Sequence, residues 1–175
     1  MDLDPRLERW VVHHRVGVLD DVFVALSRIG SQGAIWLVIA ALAALCWRRP
    51  AIFLYVTLAD LVADVSAALL RQAIGRDRPP LRFPDPAPLV HVPGNPSFPS
   101  GHAAMSFACA ATLAWLTPLS PIVLYALAGL IAFSRVYVGV HYPLDVIGGA
   151  ALGLGVATAL RLLVEARRRS APRPR

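Results

Sequence analysis

Five apolar runs, separated by breaks that carry arginine, proline and glycine, govern what this chain can fold into. They are Ala34–Trp47, Ala51–Leu70, Ala103–Leu116, Ile122–Val138 and Val146–Val164. In hydrocarbon every backbone N–H and C=O must be satisfied within the protein, so a run of about 20 apolar residues crosses as a helix. Ala34–Trp47 is short for a span, so its helix is expected to begin near Ile29 or Ser31, and the third run is extended back to the region of Ser100. Composition points the same way: 57% of residues are apolar, 16% are charged, and the mean hydropathy is +0.58. The expectation is an all-α fold, a polytopic membrane helical bundle of about five transmembrane helices. It forms a single domain over residues 1–165, with the transmembrane core at 30–165.

Residues 6–29 mix charge with apolar groups at helical spacing, Leu7, Trp10, Val11, Val18, Val22 and Leu26 against Arg6, Glu8, Arg9, Arg15, Asp20 and Asp21. That pattern predicts amphipathic helices lying in the membrane interface, with Trp10 at headgroup depth. His13 and His14 fall on the polar face. The opening Met1-Asp2-Leu3-Asp4-Pro5 lacks a basic region followed by an apolar core, so no cleavable signal peptide is expected. The net charge of +6 comes from arginine alone and sits at the ends of apolar runs and in the tail, which reflects membrane topology rather than nucleic-acid binding. Arg48 and Arg49 cap the first run, and Arg161 with Arg167, Arg168 and Arg169 caps the fifth. These ends are expected in the cytoplasm of a cell membrane, with 166–175 a basic, disordered tail. Five spans then place 71–101 and 134–145 together on the extracytoplasmic face.

Three charged stretches therefore converge on one side of the bilayer. They are Arg71 with Arg78-Pro79, Pro99-Ser100-Gly101-His102, and Ser134-Arg135 with His141 and Asp145. A carboxylate four residues after a histidine can accept its Nδ1 proton and leave Nε2 as a free lone pair. Arginines on a face without positive-inside pressure call for an anionic partner, and a guanidinium fork fits phosphate. Eight prolines between residues 79 and 99 predict an extended loop over this pocket. Cys46 and Cys109 lie in different apolar runs and imply neither a disulfide nor a metal motif. Gly149-x-x-x-Gly153 has the spacing that lets helices approach closely, within one chain or across a homodimer. Asp60 and Asp64 lie one turn apart inside the second run. Asp64 stands two turns, about 10 Å, before Arg71 and is expected to support the arginines from behind or to make a buried contact between helices.

In these stretches the chain resembles the type 2 phosphatidic acid phosphatases, membrane relatives of the vanadium haloperoxidases. Their signatures are Lys-x6-Arg-Pro, Pro-Ser-Gly-His and Ser-Arg-x5-His-x3-Asp; here they read Arg71-x6-Arg78-Pro79, Pro99–His102 and Ser134-Arg135-x5-His141-x3-Asp145. The one departure is Arg71 for lysine, a bidentate fork for a point charge. The resemblance implies a metal-independent lipid phosphatase with no cofactor, in which His141 is the nucleophile that forms a phosphohistidine, Asp145 orients it, and His102 is the acid and then the base. Arg71, Arg78, Arg135, Ser100 and the Gly101 N–H would hold the phosphate, with Asp64 and Ser134 behind them. It further implies a phospholipid or isoprenoid phosphate substrate drawn from the bilayer, and no nucleic acid. A polyprenyl diphosphate or phosphate of the undecaprenyl type leads. Phosphatidylglycerophosphate or phosphatidic acid, and lipid-to-lipid phosphotransfer, are the alternatives.

Overall fold

The computed structural model describes residues 3–170; Gln32 is described by its backbone only. The helices are α1 Leu3–His13, α2 Gly17–Ile29, α3 Ala34–Cys46, α4 Ala51–Ile74, α5 Pro79–Arg82, α6 Gly101–Leu116, α7 Pro121–Tyr137 and α8 Pro143–Ser170, with a 3-10 turn at Ser31–Gly33. No strand occurs among the described residues. The five apolar runs become α3, α4, α6, α7 and α8, as their composition demands.

The bundle is built around α6, which packs against α8, α4 and α7. Its sequence explains the central position: Ala103, Ala104, Ala108 and Ala110 are all fully buried and let neighbouring backbones come near. Opposite them α8 carries Gly149 and Gly153, where a Cβ would lie 2.3 Å from the Ser100 carbonyl oxygen and 2.2 Å from that of Ala104. The small-residue spacing is thus used within the chain. Trp36, Ile52, Val56, Leu113, Leu124 and Ile131 fill the core between α3, α4, α6 and α7, and the Trp36 indole N–H donates to Ser106 Oγ at 3.1 Å. Leucines, valines and isoleucines such as Leu42, Leu45, Leu54, Leu69, Ile122 and Leu163 point outward, a surface suited to lipid rather than water.

Several boundaries differ from the sequence expectation. The first apolar helix starts at Ala34, not at Ile29 or Ser31, because Gly33 takes a left-handed φ of 67° and its bare face lies on Asp60, where a Cβ would be 2.1 Å from Oδ1. The second runs past Leu70 to Ile74 and stops at Gly75, a left-handed cap with φ 66° that leaves Arg71 in the last turn. The tail expected to be disordered from residue 166 is helical to Ser170, since no helix breaker precedes Pro172 and cations favour a helix C-terminus; residues 171–175 lie outside the described residues. Two stretches, Ala51–Arg82 and Pro143–Ser170, are long and apolar enough to cross a membrane by themselves, and α2 with α3 forms a bent pair that adds a third. With 16 and 17 residues, α6 and α7 reach only about 24–26 Å.

The N-terminal segment forms two helices, as its periodicity indicates, and α1 lies against α7 and α8. The buried residues of α1 are Asp4, Pro5, Glu8 and Val12, while Leu3, Leu7 and Trp10 face out. This inversion suits a helix whose outer side meets lipid. His13 and His14 are exposed, as expected.

Candidate active site

Helix ends build the site. Arg71 comes from the last turn of α4, Arg78 from the segment before α5, His102 from the first turn of α6, Arg135 from the last turn of α7, and His141 from the connection to α8. All five line one cavity of about 170 Å³, together with Ser31, Asp64, Pro93, Asn95, Gly101 and Met105. That volume suits a headgroup rather than a lipid chain. The proline-rich segment contributes Pro93 and Asn95 and so lies over the site as expected; its first residues form the single turn α5.

His141 is 3% exposed, with Nδ1 3.4 Å from Asp145 Oδ2 and Nε2 3.2 Å from Arg78 Nη1. A guanidinium has only donors, so Nε2 is the acceptor and Nδ1 carries the hydrogen toward Asp145. Burial, aided by the Arg78 and Arg135 charges and opposed by Asp145, lowers the His141 pKa to about 4. The ring is therefore neutral near pH 7. Asp145 is fully buried; its Oδ2 accepts from the Ser97 hydroxyl and from the Tyr142 N–H at 2.9 Å, and its Oδ1 accepts from Arg76 Nη1 at 2.5 Å.

Arg78 is clamped: Nε donates to Asn95 O at 2.8 Å, Nη2 to Asn95 Oδ1 at 2.6 Å, and Nη1 to Val140 O at 2.9 Å. Its guanidinium stays a cation near pH 7. Arg71 donates to Pro99 O at 3.4 Å and lies 3.9 Å from Asp64. Arg135 Nη1 donates to the Ser27 hydroxyl, while its Nε is buried without a partner. The His102 Nε2 hydrogen goes to Ser27 O at 3.2 Å, so one residue of α2 steadies both an arginine and a histidine.

Ser100, Ser134 and Asp145 do not line the cavity. Ser134 Oγ donates within α7 to Ile131 O at 2.6 Å, and the Ser100 N–H is spent on Asp145 O at 2.9 Å while its hydroxyl is buried and unpaired. Gly101 makes room for Arg71, whose Nη1 would be 2.7 Å from a Cβ there. Asp60 is buried in α4 beside Cys109, whose thiol lies 3.5 Å from Oδ1. Sequence reasoning missed Ser27, Arg76, Asn95 and Ser97. Arg76 could have been found from its place two residues before Arg78, whereas Ser27 lies in an ordinary amphipathic stretch with no signal at all. Among the described residues, no three His, Cys, Asp or Glu side chains converge as metal ligands.

Comparison with known proteins identifies the lineage. The PAP2 superfamily model matches residues 37–169. An undecaprenyl-diphosphatase of Sulfolobus acidocaldarius is 32% identical over 149 residues, 84% of this chain and 71% of that protein. A decaprenylphosphoryl-5-phosphoribose phosphatase of Mycolicibacterium smegmatis is 38% identical over 128 residues, 71% of this chain and 68% of that one. The crystal structure of a transmembrane PAP2-type phosphatidylglycerolphosphate phosphatase from Bacillus subtilis superposes with a TM-score of 0.77 at 27% identity, covering 96% of this chain and 87% of that chain. The matched region runs from within α3 almost to the end of α8 and holds every cavity residue except Ser31, so the chain belongs to the PAP2 superfamily.

Proposed function

We propose that this membrane lipid phosphatase hydrolyses the terminal phosphate of a polyprenyl diphosphate or phosphate through a phosphohistidine at His141. Its phosphate-ester hydrolase activity follows from the family; the substrate and the residue roles are the proposal. The observation that carries it is the Nε2 lone pair of a neutral, buried imidazole held in a cavity walled by three guanidinium groups.

Phosphate entering the cavity takes the donors of Arg71, Arg78 and Arg135 on its equatorial oxygens, where charge gathers in phosphoryl transfer. Drawing Arg78 onto phosphate frees Nε2, which forms the N–P bond as the P–O bond to the lipid breaks. His102, whose Nε2 hydrogen is held by Ser27 O, takes up a proton from solvent at Nδ1 as the anion binds and gives that proton to the leaving oxygen. Water then attacks phosphorus, its proton returns to His102, and the N–P bond breaks to restore neutral His141. Asp145 holds the Nδ1 hydrogen throughout, and the α6 N-terminus at Ser100 and Gly101 adds a favourable dipole. Asp64 steadies Arg71, whereas the Ser134 hydroxyl is bonded within α7 and takes no part. The relatives that act on polyprenyl lipids support the substrate class.

Arginine at the first and last apolar helix ends supports a five-span topology with the C-terminus cytoplasmic and the cavity extracytoplasmic. Local thinning of the bilayer accommodates the short α6 and α7.

The test is phosphate release by purified protein from polyprenyl mono- and diphosphates, phosphatidylglycerophosphate and phosphatidic acid, with and without EDTA. Polyprenyl substrates are expected to lead, with no loss to chelator and with His141→Ala reduced at least about 10³-fold. Preference for a glycerophospholipid would overturn the substrate, loss to EDTA the metal-free scheme, and product formation that requires a second lipid would show phosphotransfer. Acid-labile ³²P that stays on wild-type protein in denaturing gels and is absent from His141→Ala checks the covalent step.

A further inference from the structure

The phosphoryl-transfer scheme makes no use of Arg76, yet this side chain holds the carboxylate on which the scheme depends. Nη1 of Arg76 donates to Asp145 Oδ1 at 2.5 Å, and Nη2 donates to Asp4 Oδ2 at 2.5 Å. The other oxygen of Asp4 accepts the backbone N–H of Leu144, next to Asp145, at 2.8 Å. The guanidinium plane sits 4.2 Å from the Tyr142 ring centroid, and Arg76 O takes the N–H of Ser97, whose hydroxyl donates to Asp145. Every residue that touches the carboxylate is thus itself in contact with Arg76 or lies within a few residues of Asp145.

We propose that Arg76 is a positioning residue: one arm of its fork fixes the Asp145 carboxylate that orients His141, and the other ties that carboxylate to Asp4, so the dyad is aligned only when α1 is docked. The inference rests on His141 being the nucleophile.

Three features distinguish this from a surface ion pair. Asp145 is fully buried and Asp4 nearly so, which makes an unpaired charge at either costly. Both arms of one planar group are used, a geometry lysine cannot copy. The two oxygens of Asp145 also divide their work, Oδ1 to Arg76 and Oδ2 to Ser97, Tyr142 and His141. At 3.4 Å the His141 contact is too long to hold the carboxylate by itself. Arg76 is the only cation bonded to it among the described residues. Beyond Asp4, α1 turns Leu3, Leu7 and Trp10 outward, so the far end of this chain of contacts is a helix suited to a lipid surface.

The experiment uses the full chain in lipid nanodiscs, with Arg76→Gln, Arg76→Lys, Asp4→Asn and the double variant. Arg76→Gln is expected to lower kcat about 10²-fold, the scale of a 1 Å misplacement, with KM within about threefold. Arg76→Lys recovers part of that loss by restoring charge to one partner. Asp4→Asn lowers kcat about tenfold in wild type and not at all in Arg76→Gln, because the two act as one unit. Ring ¹⁵N shifts of His141 report the Nδ1–H tautomer, and are expected to move in Arg76→Gln and in Asp4→Asn while the melting temperature and the His102 ring shifts hold, which separates misalignment from loss of fold. Wild-type kcat and unmoved ¹⁵N shifts in Asp4→Asn overturn the link to α1, and the same result in Arg76→Gln overturns the proposal. Should Arg76→Gln not fold, Arg76→Lys takes its place, and wild-type kcat with unmoved ¹⁵N shifts there overturns the proposal. An active His141→Ala would instead sink the nucleophile assignment.

Discussion

At the scale of single residues, the decisive fact about His141 is what surrounds its two nitrogens. Arg78 can only donate, so the ring is pinned in the tautomer that offers Nε2 to phosphorus. Burial lowers its pKa to about 4, so a histidine NMR titration is expected to show this ring neutral down to that pH. A midpoint near 6.5 for His141 would contradict the buried, guanidinium-flanked site. Gly101 is a second residue-scale case. A methyl there meets the far end of a flexible Arg71, 2.7 Å away, rather than backbone. Gly101→Ala is therefore expected to fold with a near-normal melting temperature while raising KM about tenfold through a displaced phosphate ligand, as steady-state kinetics would show. Sequence spacing found the histidines and arginines because each sits in a compact signature. It did not find Ser27, which reaches His102 and Arg135 from a helix distant in the chain.

Among the elements, the α6–α8 contact carries the architecture. At Gly149 and Gly153 the opposing atoms are backbone carbonyl oxygens, which cannot swing aside as a side chain can. Gly149→Ala and Gly153→Ala are each expected to cost about 1–3 kcal/mol, read as lost thermal stability and folded yield in detergent. Gly155→Ala, with nothing within 4 Å of the added methyl, is expected to be neutral or slightly stabilising. Helix α1 shows a second elemental effect through Glu8. Burial raises its pKa to about 7, against the charges of Arg9 and Arg15. The folded state then holds a proton that the unfolded chain releases from about pH 4.5, so stability falls as pH rises from there to about 7 and is level above. Melting temperature measured across pH 5–8 is expected to decline, and Glu8→Gln to flatten that decline.

For the molecule as a whole, the cavity is a place where α4, α6, α7 and the 3-10 turn after α2 meet. An anion bound there neutralises three guanidinium groups that otherwise repel one another, so it stabilises the entire bundle rather than one helix. Inorganic phosphate at about 100 times its Kd is expected to add about 2.7 kcal/mol and raise the melting temperature by about 5 °C or more. Arg135→Ala should lose most of that shift, since its buried, unpaired Nε marks it as a donor waiting for a ligand.

What the linear order determined by itself is the helical class, the five apolar elements, and the identity of the charged groups at their ends. These follow from hydropathy, from period and from contiguous signatures, which are local properties of the chain. Tertiary structure decided the rest. Arg76 bridging Asp4 and Asp145, Ser27 steadying two cavity residues, Gly33 yielding to Asp60, and the glycine spacing of α8 turned inward on α6 all join residues far apart in sequence. Such contacts are chosen by packing and by the need to pair buried charge, and no local pattern encodes that choice.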